Sequence, residues 1–143
     1  MSSRRDFLKT LGVAIVSSAG APLLLNGCAG LATVRAQVDE NKIKLNKTEI
    51  QALAVPNGIL LVKAPQLPGP IILRNLAEAG IVAVSSICTH RGCEVRPMPH
   101  SLQCPCHGSE YDELGEVLEG PATRPLKRYE VIETPDLLII KVS

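Results

Sequence analysis

The sequence predicts an all-β chain of antiparallel strands interrupted by one long insertion. Two observations carry this reading. Short apolar or alternating runs recur, each closed by proline, glycine or asparagine, as short strands are. The chain also holds 11 Gly and 11 Pro among 143 residues, a turn-rich composition that leaves little room for long helices. In order, residues 42–45 alternate polar and apolar, and residues 59–63 form an apolar run after the turn Pro56-Asn57-Gly58. Residues 70–73 leave the turn Pro68-Gly69-Pro70, and residues 81–85 make a further apolar run. Residues 129–133 and 137–142 read as a closing hairpin across Thr134-Pro135-Asp136. Between the fourth and fifth strands, residues 86–125 hold all three histidines and four of the five cysteines. That interval reads as loop, held by something other than an apolar core.

The amino terminus reads as an address. Residues 2–9, SSRRDFLK, place Arg4 and Arg5 before Asp6, Phe7, Leu8 and Lys9, and an uncharged stretch over residues 10–34 follows. The pattern resembles a twin-arginine export signal, which implies a protein folded around its cofactor before export. Gly12, Gly20 and Pro22 argue against a buried amphipathic helix here. Two outcomes remain open. Leu25-Asn26-Gly27-Cys28 resembles a lipobox, with Cys28 the lipidated residue. As a helix, the uncharged stretch would instead reach about 37 Å, enough to cross a bilayer core of roughly 30 Å. The expected division is residues 1–28 as signal or membrane anchor, 29–41 as a tether and 42–143 as one domain. The domain would lie on the periplasmic side of a bacterial cytoplasmic membrane.

Composition excludes several functions. Lys plus Arg is 15 and Asp plus Glu 14, so the formal charge of +1 offers no footprint for nucleic acid. The three aromatic residues, Phe7, Tyr111 and Tyr129, with no Trp, give no stacking platform for bases. No nucleophile with a base, phosphate loop or catalytic carboxylate pair is present, so catalysis by this chain alone is not expected.

The chemistry lies in two short segments, CTHRGC at 88–93 and CPCHGS at 104–109. Each carries a Cys with a His close behind it: Cys88 and His90, then Cys104 and His107. Residues 94–103 are long enough to double the chain back and bring the segments together. Two thiolates and two imidazoles suit zinc, or a [2Fe–2S] cluster with cysteine on one iron and histidine on the other. A structural zinc module is the non-redox alternative, but it has no use for Cys93 and Cys106, which stand beside the donors. His100, in PMPHS between the segments, reads as a solvated loop residue.

CTHRGC, CPCHGSEYD and GPATRP together resemble the Rieske iron–sulfur protein of cytochrome bc complexes, over residues 42–143 and most closely 84–126. The resemblance implies an antiparallel β-sandwich with an inserted two-loop cluster-binding subdomain at about 86–125. It implies one [2Fe–2S] cluster, with Cys88 and Cys104 on one iron, His90 and His107 on the other, and a Cys93–Cys106 disulfide tying the loops. A disulfide needs an oxidising compartment, which agrees with export. It further implies that Ser109 and Tyr111 donate hydroxyl hydrogen bonds to a cluster sulfide and a ligand thiolate, and that Gly120-Pro121-Ala122 covers the cluster from a third side. Such a site is neutral when oxidised and carries −1 when reduced, so its potential lies far above that of an all-cysteine cluster, at roughly −150 to +300 mV against about −400 mV.

The implied function is one-electron transfer by a membrane-tethered subunit of a quinol-oxidising complex. The partners would be a cytochrome b-like membrane subunit, quinol and a c-type cytochrome acceptor, with His107 accepting a hydrogen bond and proton from quinol. The small Rieske subunit of a periplasmic molybdenum oxidase, such as arsenite oxidase, is the alternative within the redox class. Ferredoxin and oxygenase Rieske domains lack the disulfide. Arg91 departs from the resembled family, where leucine commonly follows the first ligand histidine.

Overall fold

The computed structural model describes residues 30–143; the export-signal reading of residues 1–28, including Cys28, lies outside them. The described residues form eleven strands and a single 3-10 turn at Gln51–Leu53. The strands are β1 Ala32–Arg35, β2 Lys42–Asn46, β3 Ile59–Lys63, β4 Ile71–Leu76, β5 Gly80–Ser85, β6 Arg96–Pro97, β7 Leu102–Gln103, β8 Glu110–Tyr111, β9 Val117–Glu119, β10 Arg128–Glu133 and β11 Leu137–Lys141. Seven make one sheet in the order β1-β3-β4-β5-β10-β11-β2, and β6-β7-β8-β9 make a second.

The alternation in β2 sends Ile43 and Leu45 inward, where they face Ile140 and Leu138 across the β11–β2 ladder. These four share one buried cluster with Leu60 and Val62 of β3 and Ile71 and Leu73 of β4. Residues from both ends of the seven-strand order therefore meet in a single core, so the sheet folds over on itself as a sandwich.

Strand β4 is buried on both faces. Ile71 and Leu73 belong to that first core, while Ile72 points the other way and lies opposite Val84 of β5. Ile72 and Val84 open a second cluster with Val95, Leu102, Tyr111, Ala122, Leu126 and the thiols Cys88 and Cys104. The inserted segment thus has an apolar core after all, built on the outer face of β4 and β5. The expectation of a coreless loop is corrected on this point, as its four short strands also show.

Arg74, on the same face of β4 as Ile72, is 1% exposed. Its guanidinium donates to Glu113 Oε1 at 2.6 Å, to the Pro99 carbonyl at 2.8 Å and to the Met98 carbonyl at 2.5 Å. One buried fork therefore ties two loops of the insertion to the main sheet.

The segment expected as a tether is a strand in part. β1 pairs in parallel with β3, Ala32 against Leu60 through Arg35 against Lys63, and the Ala36 N–H continues the ladder to the Lys63 carbonyl at 2.9 Å. The free edge of β3 supplies the hydrogen-bond partners, and Thr33 and Val34 suit extended backbone. The chain then reverses at Glu40 and Asn41, both at positive φ, and enters β2. This edge pair is the one parallel pairing among otherwise antiparallel ladders of the described strands.

Candidate metal centre

Two loops of matching construction carry the four donors. In each, the cysteine carbonyl accepts from the N–H of a glycine four residues on, Cys88 from Gly92 at 2.9 Å and Cys104 from Gly108 at 3.1 Å. In each, the cysteine N–H donates to the carbonyl five residues on, Cys88 to Cys93 at 2.7 Å and Cys104 to Ser109 at 2.8 Å. Gly92 and Gly108 have φ of 79° and 81°, the left-handed backbone that closes such a loop and that side chains resist.

The loops are joined covalently by the Cys93–Cys106 disulfide, S–S 2.05 Å and Cα–Cα 6.5 Å. The Cys104 sulfur lies within 4.8 Å of both disulfide sulfurs. Cys88 and Cys104 are free and buried. The His90 and His107 rings stand edge to face with centroids 4.9 Å apart. The structure thus collects two buried thiols and two imidazoles at one end of the insertion, with His90 half-buried and His107 exposed.

A third segment straps both loops. It enters through the cis Gly120–Pro121 bond; the Ala122 N–H donates to Ser109 Oγ at 3.0 Å, and the Arg124 carbonyl accepts from Thr89 Oγ1 at 2.6 Å. This is the run Gly120-Pro121-Ala122 expected over the site. Because Thr89 spends its one hydroxyl proton on Arg124, the Tyr111 phenol keeps its own for Cys88 Sγ at 3.2 Å or Thr89 Oγ1 at 3.1 Å, while accepting from the Thr89 N–H at 3.2 Å.

Burial pushes the Cys88 thiol up, but hydrogen bonds from Tyr111, the His90 backbone, Cys104 and Ser109 outweigh it and hold the thiol below its ordinary value. Burial, and then the neighbouring Cys88, push Tyr111 up. The two shifts run toward a thiolate beside a neutral phenol. That is the state in which sulfur acts as a metal ligand and the hydroxyl as its donor.

Sequence reasoning placed His100 apart from the donors, and its side chain is 84% exposed, 3.9 Å from Glu113. It missed Arg74 and Thr89. The signal for Arg74 was a charge inside an apolar strand run; Thr89 gave none.

An all-β sandwich carrying two such loops defines an iron–sulfur electron carrier. The donor set fits a [2Fe–2S] cluster: two thiols shielded from water, two imidazoles beside them, and a hydroxyl on a donor sulfur. The family model of the Rieske [2Fe-2S] domain matches residues 35–130, and the chain belongs to that family, whose domain binds one [2Fe–2S] cluster.

The cytochrome b6-f complex iron-sulfur subunit 2 of Nostoc sp. is 49% identical over 95 residues, 65% of this chain and 53% of that protein. Subunit 1 of the same complex in Synechocystis sp. is 32% identical over 151 aligned positions, 96% of this chain and 84% of that protein. Among solved structures, the plasma membrane Rieske protein PetC3 of Synechocystis matches with a TM-score of 0.55 at 32% identity, covering 68% of this chain and 98% of that one. The chain spans about half the length of the Nostoc relative.

Proposed function

We propose that this protein is the membrane-tethered iron–sulfur subunit of a bc-type quinol:cytochrome c oxidoreductase, with Cys88 and Cys104 ligating one iron and His90 and His107 the other. The observation that carries the proposal is the convergence of two buried thiols with two imidazoles, one of them exposed. Its relatives named as cytochrome b6-f subunits support the kind of complex. No helix among the described residues is long and apolar enough to cross a membrane.

When bound, the cluster supplies one-electron redox chemistry. The chain's own residues set its conditions. Burial of Cys88 and Cys104 excludes water from the thiolates. Tyr111 lies 3.2 Å from Cys88 Sγ, and the Ser109 hydroxyl, whose oxygen accepts from Ala122, also turns toward that sulfur; hydroxyl donors to sulfur would favour the more negative reduced state of a bound cluster. The exposed His107 presents its ring to a partner, where it accepts a hydrogen bond and proton from quinol.

The test is purification from membranes of the native host. We expect two irons, two acid-labile sulfides and a Rieske-type paramagnetic signal on reduction, with b-type haem co-purifying and quinol reducing the centre. Stoichiometric zinc would overturn the cluster. Molybdenum in place of haem would overturn the complex.

A further inference from the structure

Three of the four cysteines in the insertion stand within reach of one another. The sulfurs of Cys93, Cys104 and Cys106 all lie within 4.8 Å of each other, although only Cys93 and Cys106 are bonded. Cys88 lies outside that group, so Cys104 is the free thiol set against the disulfide. Its backbone is held on both sides, the carbonyl by the Gly108 N–H at 3.1 Å and the N–H by the Ser109 carbonyl at 2.8 Å. Disulfides exchange when a thiolate attacks one of their sulfurs, and holding the two together turns a bimolecular encounter into a step within one chain.

We propose that Cys104 is the alternative disulfide partner of Cys93: a chain that loses its cluster exchanges the Cys93–Cys106 bond for a Cys93–Cys104 bond and so loses a ligand. The inference rests on the reading that Cys104 binds iron, since a sulfur bound to iron is not free to attack. The step balances without an oxidant. Cys104 thiolate forms a bond to Cys93 Sγ, the Cys93–Cys106 bond breaks, and its electron pair leaves on Cys106, which takes a proton from water. One disulfide is present before and one after, and the number of free thiols is unchanged.

Burial selects the sulfur that is attacked. Cys106 is exposed, Cys93 half-buried and Cys104 buried. Attack on Cys93 releases the charge onto the exposed sulfur, where water solvates it, and leaves the new uncharged bond on the buried side. Attack on Cys106 would instead close a ring across Pro105 alone, whose fixed φ restricts such a ring, and would leave the two loops without a crosslink. Exchange with Cys93 keeps the loops joined but withdraws one of the two cysteine donors. Loss of the cluster is thereby recorded in the covalent structure, and a chain in a compartment without thiol reductants is loaded once.

The experiment starts from full-length holoprotein that shows the Rieske-type signal. Iron is withdrawn by bipyridyl at neutral pH without oxidant or added thiol, and the released sulfide is removed by desalting. Free thiols are then alkylated in denaturant, and mass spectrometry of the digest assigns labels and disulfides. In the loaded protein, the labels within the insertion should fall on Cys88 and Cys104. After cluster removal the Cys104 label should drop by roughly tenfold and reappear on Cys106, with the total unchanged. In Cys93→Ala with Cys106→Ala there is no disulfide to attack, so Cys104 should keep its label.

Persistence of the Cys93–Cys106 bond, with labels still on Cys88 and Cys104, would overturn the exchange. So would a Cys88–Cys104 bond, which needs an oxidant, or a bond to Cys28 or between chains. A Cys104–Cys106 bond would overturn Cys93 as the target. A starting protein with zinc and no Rieske-type signal would instead overturn the reading of Cys104 as an iron ligand.

Discussion

Replacing Arg74 by Met should loosen the cluster-binding part while leaving the main sheet intact. The substitution keeps an aliphatic stem in the space beside Ile72 but removes the donors to Glu113, Pro99 and Met98. Breaking a buried ion pair by deleting one partner costs about 3–5 kcal/mol, chiefly because the survivor is left uncompensated. Here the survivor is partly wet: the Glu113 side chain is 27% exposed, and Met98 and Pro99 lie in an exposed loop whose carbonyls regain water. The expected cost is therefore nearer to about 2–4 kcal/mol.

Native-state hydrogen exchange on the holoprotein reads this directly. Amides of residues 98–116 should exchange roughly 30- to 1,000-fold faster, each 1.4 kcal/mol being a factor of ten. Those of the β2–β11 ladder should stay as slow as in the parent. Arg74→Lys should fall between, since one ammonium cannot reproduce a planar fork on three acceptors. Equal acceleration in both regions, or less than tenfold in residues 98–116, would refute the pin.

Further outcomes follow from the same geometry. Tyr111→Phe should keep the cluster and lower its potential by about 40 mV if the lost hydrogen bond favours the reduced state by about 1 kcal/mol, 59 mV being a factor of ten for one electron; redox titration followed by visible absorbance checks it, and an unchanged potential places the phenol proton on Thr89. Cys93→Ala with Cys106→Ala removes a crosslink of about 2–4 kcal/mol between the two ligand loops and should shorten the life of the visible chromophore under mild denaturant; an unaltered lifetime would show that the cluster alone holds them. Removing the cluster with acid and chelator should leave the first core folded, because none of its buried residues comes from residues 86–125, and slow exchange in β3, β4 and β11 is the readout; loss of protection there would show that the two cores unfold as one.

The six longer strands were legible because each repeats a side-chain pattern over at least four residues, as Lys42 to Asn46 does, and is closed by a turn residue. The strands of the insertion were not, since two residues such as Leu102 and Gln103 have no period; they are strands only because Tyr111 and Glu110 lie opposite. β1 was hidden for another reason. It is an exposed edge of four residues whose partner, β3, is recognisable only once the sheet exists. The donor types at the site were legible as chemistry, and the spacing with the spare Cys93 and Cys106 already favoured a cluster over zinc at Cys88, His90, Cys104 and His107; which donor binds which iron came only from the resemblance. Pairings across long separations were beyond reach: Arg74 finds its acceptors 24 to 39 residues away, and no local pattern announces them.

The parallel pairing of Ala32–Arg35 removes those residues from any link upstream of the domain. As a free link, the ten residues 32–41 would extend the reach of the domain by about 34 Å at 3.4 Å per residue. Laid along β3 and turned back into β2, they add none of it. Under the proposed membrane tether, residues 32–41 would therefore contribute nothing to the length of the link. Lengthening the chain before Leu31 should then widen the reach of His107 from the membrane, while the same insertion between Gln37 and Asn41 should not.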